Sequence, residues 1–148
     1  MSSPVATSSN LRQAVPFFWV NDMEASRRFY VDGLGFTMTN SWVVDGQLRW
    51  CRLERGESAV MLQPFWREGR HRNVPTTPVG VGVTIYFVCD DAIALYRELT
   101  ARGLSMSRPM VGNGMWVTDI ADPDGYRLFF ESPTDAPEDS VFDATAEN

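Results

Sequence analysis

Two five-residue stretches of this chain, Phe18-Trp19-Val20-Asn21-Asp22 and Tyr86-Phe87-Val88-Cys89-Asp90, share one pattern (ring, ring, Val, any residue, Asp) at a separation of 68 residues. Gly35-Phe36 and Gly103-Leu104 keep the same separation. A pattern repeated at a fixed distance means one supersecondary unit used twice, so the fold has to be built from two copies of whatever one copy forms.

The first copy reads as strand, helix and three strands. Residues 13–20 are aromatic and β-branched, as a strand requires. Asn21-Asp22 then offers a helix cap, with Glu24 placed for a capping box from Asn21. Met23, Ser26, Phe29 and Tyr30 recur at helical spacing until Gly33 and Gly35 stop the helix. Strands are expected over 36–42, 47–54 and 58–63, the first two joined by Asp45-Gly46 and the last two by Arg55-Gly56. Residues 64–78, with four arginines or histidines and three prolines, are too polar and broken for a regular element.

The second copy repeats this order. A strand is expected over 84–88, then a helix capped by Asp90 with Ile93, Tyr96 and Leu99 on one face, an extended piece over 105–108 and a hairpin of 115–120 with 126–131. Its turn, Asp122-Pro123-Asp124-Gly125, has Pro to preset φ, Asp to accept from the backbone and Gly for the left-handed position. Leu128-Phe129-Phe130 is apolar enough to be covered on both faces. The chain therefore divides into a flexible N-terminus (1–12), a first module (13–64), a connector (65–79), a second module (80–132) and an acidic tail (133–148). The fold class is α+β.

Composition narrows the function. The chain is 44% hydrophobic with no apolar run near the ~20 residues that cross a bilayer, so no membrane partner is expected. The N-terminus lacks a basic start and apolar centre, which points to the cytoplasm. Five acids of the net charge of −6 lie in the tail, leaving 14 acids against 13 arginines. A nearly neutral body disfavours nucleic acid, and a chain without Lys has no Schiff-base chemistry. Cys51 and Cys89 sit in apolar runs and read as reduced, buried thiols.

The doubled unit, with Val-x-Asp before each helix, Phe-Tyr then Gly-Leu-Gly-Phe after the first, and Asp-Pro-Asp-Gly-Tyr before the last strand, resembles the vicinal oxygen chelate superfamily of glyoxalase I, bleomycin-resistance proteins, fosfomycin-resistance enzymes and extradiol dioxygenases. The resemblance covers about residues 13–133. It implies two cup-shaped mixed sheets and a divalent metal held by one side chain from each of four strands. At those positions this sequence has Val15, Val83, Phe129 and Val60 or Leu62, with Gln63 the only nearby side chain able to bind a metal. Aliphatic and phenyl groups offer no lone pairs, and His71 is the sole histidine. No metal and no other cofactor is expected.

The resemblance then points to the metal-free bleomycin-resistance branch: a homodimer whose cup binds and sequesters a small apolar or aromatic compound, as in antibiotic resistance. By alternation, Phe17 and Trp19 face the cup with Val15, Ile85 and Phe87 with Val83, and Arg127 and Glu131 with Phe129. The expected ligand site is thus Val15, Phe17, Trp19, Val60, Leu62, Val83, Ile85, Phe87, Arg127, Phe129 and Glu131. The competing reading for each ring is plain core, and for Arg127 and Glu131 a salt bridge. A rival function is a lyase, isomerase or dioxygenase using Glu131 as acid or base or Gln63 and Glu131 as unusual ligands. Another is an interaction module with a filled cup.

Overall fold

The computed structural model describes residues 9–146; the expected flexible N-terminus falls mostly on residues 1–8, outside them. The first half contains β1 (Phe17–Val20), α1 (Met23–Arg28) running into a π-helical turn (Phe29–Gly33), β2 (Thr37–Val44), β3 (Gln47–Arg55) and β4 (Ser58–Pro64). The second contains β5 (Thr84–Val88), α2 (Ala92–Ala101), β6 (Met110–Gly112), β7 (Met115–Ala121) and β8 (Arg127–Pro133). Each half forms a four-stranded mixed sheet, ordered β1-β4-β3-β2 and β5-β8-β7-β6, in which the first strand pairs parallel to the last. The doubled α+β architecture is present. No helix among the described residues is long and apolar enough to cross a membrane.

Local departures have local causes. β1 starts at Phe17 instead of 13, because Pro16 has no N–H to give to a ladder, although its carbonyl still accepts from Met61 N at 2.9 Å. The first helix is capped by Asp22, which accepts from Ala25 N at 3.0 Å. Asn21 makes no capping box: its side chain donates to Asp124 Oδ1 at 2.8 Å, and Glu24 is held by Arg27. The second strand of the second half lies at 110–112, not 105–108, since Ser107 is drawn aside by backbone and hydroxyl bonds to Asp119.

The acidic tail is not a loose solvated end. Phe142 is buried and its N–H donates to Pro109 O, Val141 bridges Met110, and Val111 N donates to Ser140 O. Glu138 accepts from Asn113 N. These contacts cover β6, a three-residue edge strand that would otherwise expose unpaired backbone.

One apolar core runs through both halves, with Phe18, Val20, Tyr30, Leu53 and Leu62 from the first and Phe87, Leu99, Leu128 and Phe130 from the second. The turn before β8 seals it on one side. Asp122 is 5% exposed, yet its carboxylate accepts from Tyr30 Oη at 2.8 Å, Asp124 N at 2.9 Å and Tyr126 N at 3.0 Å. Tyr126 stacks on Phe18 with centroids 4.3 Å apart and donates to Trp19 O at 3.0 Å. Gly80, the first residue after the connector, closes the joint: a Cβ there would lie 2.1 Å from Tyr126 N, so no side chain fits.

Burial raises the Asp122 carboxyl above its ordinary value, and the Tyr30 hydroxyl pulls it partly back. Tyr30→Phe removes that donor and should cost about 1–3 kcal/mol near neutrality, the usual penalty for a buried group left short of a partner. Because the loss lifts the folded-state pKa of Asp122 further above its unfolded value, the variant's stability should fall more steeply as pH rises through the acid range. Equilibrium denaturation at pH 4 and pH 7 checks this: a penalty no larger at pH 7 would refute it. Burial, then the charges of Asp122 and Asp124, push the Tyr126 phenol up to about 12. Its contribution to stability is therefore complete below pH 10 and lost as pH climbs through 12, so absorbance at 295 nm should lose a late step in Tyr126→Phe.

Candidate functional site

Strand pairing decides which side chains share a face. Phe17 pairs with Met61 and Trp19 with Gln63, while Phe18 pairs with Leu62. Phe18, Val20, Val60 and Leu62 pack into the core on the helix side, so Phe17, Trp19, Met61 and Gln63 share the opposite, open face. In the second sheet Tyr86 pairs with Phe129 and Val88 with Glu131, while Ile85 pairs with Leu128 and Phe87 with Phe130. The open face there holds Tyr86, Val88, Arg127, Phe129 and Glu131.

Of the expected set, Phe17, Trp19, Arg127, Phe129 and Glu131 therefore stand on open faces. Val60, Leu62 and Phe87 are buried on the helix side and Ile85 packs beside them. Val15 and Val83 precede β1 and β5, the first half-buried and the second exposed. The physical cause in the second half is the helix cap. Asp91, not Asp90, accepts from Ala94 N at 3.0 Å, so the strand-helix joints of the two halves correspond at 69 residues, not 68. A slip of one residue exchanges the two faces of a strand. Tyr86 and Val88 were missed for that reason. The signal was present in α2, where Ala92, Leu95 and Leu99 form the inward stripe that starts one residue after Asp91.

Each open face carries the same kind of furniture. On the first, Phe17 and Trp19 meet edge to face at 6.1 Å, Phe65 of the connector leans on Trp19 at 5.8 Å, and Arg52 Nε reaches Glu54 at 3.0 Å. On the second, Tyr86 stacks on Phe129 at 4.9 Å and Arg127 reaches Asp119 at 2.9 Å. Arg127 is thus paired across the β7–β8 ladder with Asp119 and not with Glu131. Tyr86 is 57% exposed and Val88 73%, unusual for rings and aliphatics in a sheet. His71 is exposed beside Arg70, and Trp66 lies under the Arg49 guanidinium at 4.0 Å.

The arrangement suits stacking on planar apolar groups, with fixed charges at hand to orient polar substituents. It does not suit the metal that the resemblance implies: no group of three or more His, Cys, Asp and Glu able to hold an ion exists among the described residues. Neither thiol is activated. Burial lifts Cys51 to about 11 and raises Cys89 as well, which keeps both protonated and weakly nucleophilic.

A cavity of about 590 Å³ lies elsewhere, between the halves on the helix side, against Phe36, Phe87, Leu95, Leu99 and Phe130. Arg55 spans one side of it, with Nη1 on Leu34 O at 2.6 Å and Nη2 on Glu98 at 2.7 Å. Of the open-face side chains named above, only Val88 also lines this cavity.

A model of the Glyoxalase/Bleomycin resistance protein/Dioxygenase superfamily matches residues 12–130. No curated protein matches the sequence. Solved structures of the same fold include TnmS3, an antibiotic binding protein from Streptomyces sp. CB03234, at 22% identity and a TM-score of 0.60, covering 83% of this chain and 98% of that one. A glyoxalase/bleomycin resistance protein/dioxygenase from Nocardioides aligns at 20% identity and a TM-score of 0.63, covering 93% of each chain. TioX from Micromonospora sp. ML1 aligns at 18% identity and a TM-score of 0.61, covering 85% and 99%.

The facing of β5 has a direct test in stability. Phe87→Ala should cost about 3–5 kcal/mol as a buried ring, and Tyr86→Ala well under half as much as an exposed one. Urea denaturation of both variants reads the difference, and the reverse order would restore the 68-residue register.

Proposed function

Because the chain belongs to the Glyoxalase/Bleomycin resistance protein/Dioxygenase superfamily, we propose that it binds a small, planar, apolar or aromatic compound on its open sheet faces and sequesters it without a metal and without turnover. One observation carries this reading. Both faces present exposed rings beside an arginine that a carboxylate already satisfies, a surface made for stacking with no donor cluster for an ion. TnmS3 is described as an antibiotic binding protein, which makes aromatic antibiotics the first compounds to try.

We place a second copy of the chain in the working assembly. The faces that hold Phe17, Tyr86 and Val88 are uncovered, and edge strand β2 exposes Trp42, Val43 and Val44 at its free side. Long apolar edges of this kind are ordinarily covered by a partner. Sedimentation should give twice the 16.7 kDa chain mass, and Trp42→Glu should shift the protein toward the monomer. A wild-type monomer at micromolar concentration would overturn the assembly.

Titration of tryptophan fluorescence with an aromatic antibiotic panel tests the binding. The expected result is saturable quenching by at least one compound, weakened roughly tenfold or more by Trp19→Ala or Phe129→Ala, the loss expected for one stacked contact of about 1.4 kcal/mol. Elemental analysis should find no stoichiometric divalent metal, and chelator should leave Tm unchanged. A bound ion whose removal lowers Tm would bring the acid and amide of Glu131 and Gln63 forward as ligands and an enzyme with them.

A further inference from the structure

The two joints between the halves are related by the repeat, yet one is filled and the other is hollow. Phe17 pairs with Met61 and Tyr86 with Phe129. Counting back three residues makes Ser58 the counterpart of Tyr126, just as Phe87 is that of Phe18 and Val88 that of Trp19. At the first joint the Tyr126 ring stacks on Phe18 at 4.3 Å and its hydroxyl donates to Trp19 O. At the second, Ser58 carries no ring, Phe87 stacks on Phe130 of its own sheet at 5.1 Å, and the 590 Å³ cavity opens against Phe87 and Val88. A smaller cavity of about 190 Å³ adjoins the same Ser58 and Phe87 from the β1 side.

The wall selects the ligand. Glu57, Asp90, Asp91 and Glu98 line the larger cavity against one arginine, Arg55. Arg55 is consumed by Leu34 O and Glu98, and Asp91 by the cap of α2. Glu57 and Asp90 stand exposed at its rim, and among the described residues neither carboxylate accepts a hydrogen bond, so both can meet a cation. The volume lies within the range of small-molecule sites.

We propose that this cavity is a second binding site, distinct from the open faces, for a protonated aryl-alkyl amine. The ring takes the place that Tyr126 takes at the other joint, against Phe87, and the ammonium group meets Glu57 and Asp90.

Tyramine is the probe, with 3-(4-hydroxyphenyl)propionate as its isosteric anion, measured by calorimetry and ligand-observed NMR on the full chain at low salt. Tyramine should bind saturably, and the anion roughly tenfold or more weakly. Ser58→Tyr, which supplies the missing ring, should raise Tm and weaken tyramine roughly tenfold, while Ser58→Ala keeps both near wild type. Glu57→Gln with Asp90→Asn, on exposed positions, should erase the preference for the amine, and this holds the test open if Ser58→Tyr misfolds. Trp19→Ala should leave tyramine binding unchanged, which separates this site from the open faces. Absence of saturable binding, equal affinity for the anion, or undiminished binding by folded Ser58→Tyr would each overturn the proposal.

Discussion

The buried carboxylate of Asp122 is the contact on which the rest of the molecule hangs. A charge that is 5% exposed survives only when every oxygen finds donors, and here the donors come from two directions. Two are backbone N–H groups of its own turn, and the third is Tyr30, 92 residues away in the other half. The same group therefore shapes the turn that launches β8 and staples the helix of the first half to it. Asn21, at the end of β1, adds two bonds to Asp124 in the next position but one. A turn motif that looks like local punctuation is in this sense a long-range tie.

Much of the fold was legible because its punctuation is local. Asp45-Gly46 and Gly125 adopt left-handed backbone where a hairpin or turn has to reverse. The alternation and helical spacing between those points show what each segment must be. What was not legible depended on partners distant in sequence. The packing of the tail needed β6, whose place was itself displaced by the Ser107–Asp119 bonds. Tyr30 reads as a ring on a helix face, and nothing near it in sequence announces that Asp122 will take its proton donor.

The site was less legible than the fold for a sharper reason: faces depend on parity. Asp90-Asp91 offers two adjacent caps of identical chemistry, and choosing between them exchanges Phe87 for Tyr86 and Ile85 for Val88 on the open side. In the first half a single Asp22 follows the strand, and Phe17 and Trp19 face as alternation predicts. For β4 the parity was set by nothing local, so Val60 and Leu62 were assigned to the face that Met61 and Gln63 occupy. Pairing to β1 resolves it, since Phe18 and Leu62 are partners and both are buried.

Repeating a module does not oblige both copies to carry the same load. The joint at Asp122 concentrates its hydrogen bonds, its stacked ring and a glycine with no room for a Cβ. The joint at Arg55-Gly56 has a shorter turn, part-exposed ion pairs of Glu98 with Arg55 and Arg102, and a hollow. Exposed ion pairs contribute little, so removing atoms from the second joint costs little that the first does not already supply. Cohesion and room for a guest make opposite demands on packing density. A duplicated fold can meet both by closing one copy of the joint and leaving the other open, which a single module, having one joint to spend on either, cannot do.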